Sequence, residues 1–228
     1  MKWYDLSDRE SGGLVLGRFD DPQWIKQIQQ LVPKYRRIAV KPQQVCLAVV
    51  DMQLFFCNQN SHAFVQAAPD IIPNINTLIN AFSRAERPIF ATYYAATPDE
   101  APAMAAFWRH LLPPDDPATQ IDPRIKLPQN ASVFCKPTYS AFVGTEFGEA
   151  VLATGVEQVV VCGVMTHLCV ETAAREFFCR GVVPFIPADA TATINKDIHI
   201  ASLRAAAHGF AIVTTTAKIL NAFGVSAD

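Results

Sequence analysis

Three apolar runs in this chain end in side chains that can do chemistry. Val45–Val50 stops at Asp51, Ser132-Val133-Phe134-Cys135 stops at Lys136, and Val159–Val164 leads through Met165, Thr166, His167 and Leu168 to Cys169. In open α/β sheets ligands sit outside the carboxyl ends of the strands, so a carboxylate, an amine and a thiol placed there could converge. Cys169 falls in the first turn of an expected helix over 166–180, where unpaired backbone N–H groups and the helix dipole favour a thiolate. Each residue also has a plainer role open to it: Asp51 as a cap for the turn after its strand, Lys136 as a solvated lysine before Pro137, Cys169 as a small buried hydrophobe.

The elements that must carry these side chains begin at Val45, where short apolar runs start to alternate with helical periods. Strands are expected over Val45–Val50, Ile89–Tyr93, Val133–Cys135, Val159–Val164, Val182–Ile186 and Phe210–Thr214. Helices are expected over Ile71–Ala85, Ala101–Leu111, Thr145–Ala153, Thr166–Arg180 and Asp197–Ala207. That alternation predicts an α/β fold, a three-layer αβα arrangement with a six-stranded, mostly parallel sheet and helices on both faces. Residues 1–44, broken by Gly12-Gly13, Asp21-Pro22, Pro33 and Pro42 around one amphipathic stretch at Gln23–Val32, form an N-terminal arm to a domain over 45–228. The proline-rich stretch Pro113–Pro128 is too long for a tight connection and reads as a surface loop near a functional edge.

Composition narrows the task. Half of the 228 residues are apolar and 18% are charged, against about 25% charged in ordinary globular chains, which excludes disorder as the main state. With 19 Lys+Arg against 21 Asp+Glu the net charge is −2, so no strong field draws the chain to nucleic acid or to an anionic membrane, and a small-molecule substrate is the expectation. No apolar run approaches the ~20 residues of a membrane-spanning helix, and the chain reads as cytoplasmic. The six cysteines are scattered and fit reduced cytosolic thiols; Cys46, Cys135 and Cys162, inside apolar runs, are expected to be buried and inert. Cys57 with His62, or His167 with Cys169, lacks a repeated ligand spacing, so neither a metal nor a cofactor is expected.

The run Cys162-Gly163-Val164-Met165-Thr166-His167-Leu168-Cys169-Val170-Glu171-Thr172-Ala173 resembles the nucleophile segment of the isochorismatase-like cysteine hydrolases. Val49-Val50-Asp51-Met52-Gln53 is similar to that family's first-strand motif, Lys136-Pro137-Thr138-Tyr139-Ser140-Ala141-Phe142 to its lysine motif, and Pro187-Ala188-Asp189-Ala190 recurs at its fifth strand. Together these motifs cover 45–215 in the family's order. The resemblance implies a Rossmann-like hydrolase in which Cys169 attacks the carbonyl carbon of an amide, ureido or carbamoyl C–N bond. Asp51 would take the thiol proton and hand it to the leaving amine, Lys136 would hold Asp51 and favour the charged forms, and water would hydrolyse the thioester. It further implies a cis peptide at Val164-Met165, which aims the Met165 N–H beside that of Cys169 to form an oxyanion hole.

Departures from the family narrow the substrate. Members that hydrolyse nicotinamide carry an Asp-x-His set of metal ligands after the first motif. Here the text is Phe55-Phe56-Cys57-Asn58-Gln59-Asn60-Ser61-His62, so the amidohydrolase branch is expected rather than a nicotinamidase. True isochorismatases cleave a vinyl ether to give pyruvate and typically lack the cysteine. They resemble the chain near Tyr139–Phe142 and His199–Ala211, and they stand as the alternative, together with a non-catalytic small-molecule-binding homologue. Phe56, Tyr94 and His167 are candidate substrate contacts, although Phe56 and Tyr94 could equally pack as core and His167 could cap a helix. Asp189 is expected to support the site by a hydrogen bond. The resemblance and the apolar composition imply a homodimer or larger, with residues 1–44 contributing.

Overall fold

The computed structural model describes residues 22–30 and 38–225, so much of the expected arm, with Gly12-Gly13 and Pro33, lies outside the described residues. Among these residues seven strands form one sheet: β1 (Val45–Val50), β2 (Ile89–Tyr94), β3 (Ser132–Lys136), β4 (Gln158–Val164), β5 (Val183–Pro187), β6 (Thr191–Ala192) and β7 (Ile212–Thr214). All pairings are parallel and the order is β3-β2-β1-β4-β5-β7, with β6 alongside the end of β4. The expected six strands thus become seven. β5 pairs with β4 only through Val160, and β6, two residues long and too short to show periodicity, takes over at Gly163 and Val164.

Eight α-helices accompany the described strands: α1 (Pro22–Gln30), α2 (Leu54–Cys57), α3 (Ala68–Arg84), α4 (Pro102–Phe107), α5 (Phe147–Leu152), α6 (Glu171–Cys179), α7 (Lys196–Gly209) and α8 (Thr216–Ala222). The helix expected over 101–111 stops at Phe107 because Trp108 is extended. The helix expected over 166–180 is two elements, a π-helical turn at Thr166–Val170 and then α6. Asp189 Oδ1 accepts from both N and Oγ1 of Thr216 (2.8 and 3.0 Å), capping α8.

The central strands are apolar without alternation because both faces are covered. Val45, Leu47 and Val49 of β1 face Ile71, Ile75, Leu78 and Phe82 of α3, a spacing that lines one side of a helix. Cys46, Ala48 and Val50 face the other way, into a second core with Val170, Phe177 and Leu203. Each such fully buried aliphatic or aromatic side chain contributes about 1.5–3 kcal/mol. Ile25 and Ile28 of α1 belong to the second core, where that helix packs on α7 and β7.

Cys46 and Cys162 are buried as expected, whereas Cys135 is exposed. It lies on β3 at the sheet edge, where Val133 is also 46% exposed; a short apolar run does not reveal whether its strand is central or at an edge. The loop over 113–128 runs beside the end of β1: Leu54 N donates to Gln120 O and Asp122 N to Met52 O, both at 2.9 Å. Among the described residues no helix is long and apolar enough to cross a membrane.

Candidate functional site

The residue after β1 turns sharply. Asp51 has φ 52°, in the left-handed region that Asp and Asn enter more readily than other L residues. Its carboxylate is completely buried, with Oδ1 accepting from Thr92 Oγ1 at 2.7 Å and Oδ2 lying 2.8 Å from Lys136 Nζ. Lys136, the last residue of β3 and 1% exposed, donates also to Thr138 O at 2.8 Å and to Cys169 Sγ at 3.2 Å. Two of the three ammonium protons thus go to Thr138 and Cys169, and Asp51 meets the group as an ion pair. Asp51 is therefore an ion-pair partner rather than a cap, and Lys136 is not solvated.

Cys169 sits in the π-turn, whose N–H groups at Leu168 and Val170 bond the Met165 carbonyl at 3.0 and 3.3 Å. The close approach of β4 to β1 that brings the sulfur to Asp51 depends on Gly163. At φ 111° a Cβ there would lie 2.1 Å from Val50 O, so no side chain fits. The Val164–Met165 peptide is cis, as the resemblance implied, and Met165 leads directly into the turn.

Burial pushes the Cys169 thiol up to about 12; Lys136 pulls it down by charge, and Asp51 raises it by charge and hydrogen bond. Burial thus favours the neutral thiol, the opposite of what a helix terminus alone favours. Burial acts to lower the Lys136 ammonium, but Asp51 and then Cys169 outweigh it and hold the group above its ordinary value. The arrangement is a neutral thiol beside a buried ion pair, with a carboxylate ready to receive the thiol proton.

Asp51, Lys136 and Cys169 are thus brought together from three strand ends, as the sequence suggested. Tyr94, the register partner of Lys136, places its ring 5.8 Å from Nζ, and burial raises its hydroxyl to about 12. Phe56 packs on Phe55 (4.9 Å) in the first core, and it is Phe55 that lines a cavity of about 300 Å³ with His62 and Leu112. His167 caps nothing: its Nδ1 lies 2.6 Å from Thr193 Oγ1, and burial lowers its pKa while Glu171 opposes. Trp108 Nε1 donates to Tyr139 OH at 2.7 Å, joining the segment after α4 to the lysine loop.

Sequence reasoning gave Gln53 and Thr92 no role, yet both build the site. Gln53 is fully buried and donates from Nε2 to Tyr94 O (3.0 Å) while Oε1 accepts from Tyr94 N (2.6 Å), which ties the ends of β1 and β2 together. A lone amide among apolar neighbours, and a threonine in an otherwise hydrophobic strand, were the available signals. The segment Asn58–His62 does not fit a metal: His62 stacks edge-on with Phe55 and His110, and no three His, Cys, Asp or Glu among the described residues are grouped to hold an ion.

The family model described as Isochorismatase domain matches residues 45–218. This chain belongs to the isochorismatase family. It is 35% identical to "Nicotinamidase 3" of Arabidopsis thaliana over 179 residues, 76% of this chain and 85% of that protein. The fold matches a cysteine hydrolase from Pseudomonas syringae pv. phaseolicola 1448A with a TM-score of 0.74, at 24% identity over 82% of this chain and 96% of that one. It also matches N-carbamoylsarcosine amidase from Thermoplasma acidophilum with a TM-score of 0.67, at 22% identity over 76% and 96% of the two chains. The chain is a hydrolase of this family. The expectation that it stands apart from nicotinamidases is not borne out, since one of its relatives carries that name despite the different text at 55–62.

Proposed function

We propose that this isochorismatase-family hydrolase cleaves an amide, ureido or carbamoyl C–N bond of a small molecule through a thioester on Cys169. The observation that carries the reading is the buried Lys136 ammonium, bonded at once to Asp51 and to Cys169 Sγ. Asp51 accepts the thiol proton as Sγ bonds to the carbonyl carbon, and the oxyanion that forms is received by the N–H groups of Met165 and Cys169. Collapse expels the amine, which takes the proton from Asp51. Water then gives a proton to Asp51 and attacks the thioester; the products are the acid and the restored thiol. Tyr94 has the strongest claim among the candidate substrate contacts because its ring stands beside Lys136, ahead of Phe56, which packs on Phe55, and His167, which is bonded to Thr193. The names of the nicotinamidase relative and of the amidase with the same fold agree with C–N chemistry.

The test is ammonia release from a panel of primary amides (nicotinamide included), ureido acids and carbamoyl compounds, with isochorismate cleavage run in parallel. Release from one of these substrates that disappears in Cys169→Ala supports the reading. Release that survives Cys169→Ala overturns it. Pyruvate formed from isochorismate, retained in Cys169→Ala and lost in Asp51→Ala, replaces it with vinyl-ether cleavage.

A further inference from the structure

The five-residue π-turn that carries Cys169 is held at both ends by one face of α7. His199, 1% exposed, places Nδ1 2.9 Å from Oγ1 of Thr166, the first residue of the turn. Ser202 lies three residues further along the same helix face. Its Oγ carries one proton, shared between Glu171 Oε2, the nearer acceptor, and the Thr166 carbonyl at 3.3 Å. Glu171 follows the turn directly, so Cys169 lies between two tethered ends.

Both tethers are themselves braced. The other oxygen of Glu171 accepts from Arg175 Nη2 at 2.9 Å, and that guanidinium lies 4.0 Å over the ring of Phe210 at the end of α7. Trp24 of α1 packs edge-on against the His199 ring, with centroids 5.7 Å apart. Burial pushes His199 down to about 4, against a hydrogen bond that the ring donates to the Ala188 backbone carbonyl, so the ring is neutral and presents its other nitrogen as an acceptor. A π-turn is rare and frequently marks a functional site, so the bonds that hold this one from outside are the natural determinants of where Sγ points.

We propose that His199 and Ser202 are positioning residues that clamp the π-turn through Thr166 and Glu171 and keep Cys169 Sγ on Lys136. Neither touches the reacting atoms. The consequence for turnover rests on the function proposed above; the geometric consequence for the thiol does not. Misplacing a reacting group by 1 Å can cost about 10²-fold in rate.

The test compares the full chain with Thr166→Val, Thr166→Ser and Ser202→Ala. Iodoacetamide alkylation at pH 8 is followed peptide by peptide, and kcat and KM are measured on the amide identified by ammonia release. Cys169 is now 5% exposed, so loosening the turn brings the thiol toward solvent. Thr166→Val and Ser202→Ala are expected to speed alkylation of Cys169 about 10-fold while buried Cys46 and Cys162 stay slow. They should also lower kcat about 10- to 100-fold with KM within about 2-fold, and Thr166→Ser should restore both readings. The clamp is overturned if Cys169 alkylation is unchanged in both variants, if it rises only together with Cys46 and Cys162, or if Thr166→Ser rescues nothing. Ser202→Ala decides the matter should Thr166→Val fail to fold. A wild-type chain that hydrolyses no C–N bond refutes the proposed function, and the alkylation rates still decide the clamp.

Discussion

Replacing Lys136 by Met tests whether the centre of the site is as desolvated as its geometry implies. The side chains of Lys136 and Asp51 are 1% and 0% exposed and meet at 2.8 Å. Lys136→Met keeps the volume but leaves the carboxylate buried with the neutral Thr92 hydroxyl and Cys169 thiol as its side-chain partners, and it also strips a donor from the Thr138 carbonyl. Removing one partner of a buried pair costs about 3–5 kcal/mol, a large part of the roughly 5–15 kcal/mol that holds a typical domain folded. For a chain of this size that corresponds to a loss of about 6–20 °C in Tm. Asp51→Asn with Lys136→Met removes both charges, and Asn tolerates the positive φ at position 51, so the double variant should recover about 2 kcal/mol relative to the sum of the single changes. Urea unfolding followed by tryptophan fluorescence measures all four species. A Lys136→Met chain within about 1 kcal/mol of the wild type, or strict additivity in the cycle, would refute the claim that the pair is sealed from water.

Gly163→Ala should abolish accumulation of folded protein, because the new methyl would lie 2.1 Å from the Val50 carbonyl; a soluble variant with wild-type Tm would contradict that contact. The folded-state pKa of His199, about 4, lies below its ordinary 6.5, so the unfolded chain takes that proton first. Its contribution to stability is complete above pH 6.5 and is lost as pH falls toward 4, by an amount of the order of 3 kcal/mol. His167 is shifted the same way, and urea midpoints measured from pH 7 to pH 4 should fall more steeply for the wild type than for His199→Leu. Self-association, which the exposed side chains of Phe107 and Val143 favour, predicts a multiple of 25.0 kDa by light scattering; a mass of 25.0 kDa at micromolar concentration would reject it.

What could be read in the sequence follows from what burial writes there. Val45–Val50 and Val159–Val164 were legible as buried strands because covering both faces leaves no polar position in either run. Asp51 and Lys136 were legible because each directly follows an apolar run, and Cys169 because it lies in the first turn of the helix expected after one. The split of 166–180 into a π-turn and α6 was not, since the same residues satisfy either helical period. Nor was the clamp, whose bonds join residues 33 and 36 positions apart. The role of Gln53 appears only once β1 and β2 are known to be neighbours.

The two cores divide the site between them. Phe55, Phe56 and Tyr94 belong to the first, on the α3 side of the sheet, whereas Cys169 and Val170 belong to the second. An engineer, or natural drift, can therefore resculpt the aromatic wall by exchanging residues on one side of the sheet while the packing that seats the nucleophile stays undisturbed on the other. Selectivity and reactivity are separately adjustable in such a molecule, and libraries built at positions 55, 56 and 94 should yield altered preferences at a far smaller loss of turnover than libraries built at 166, 199 and 202.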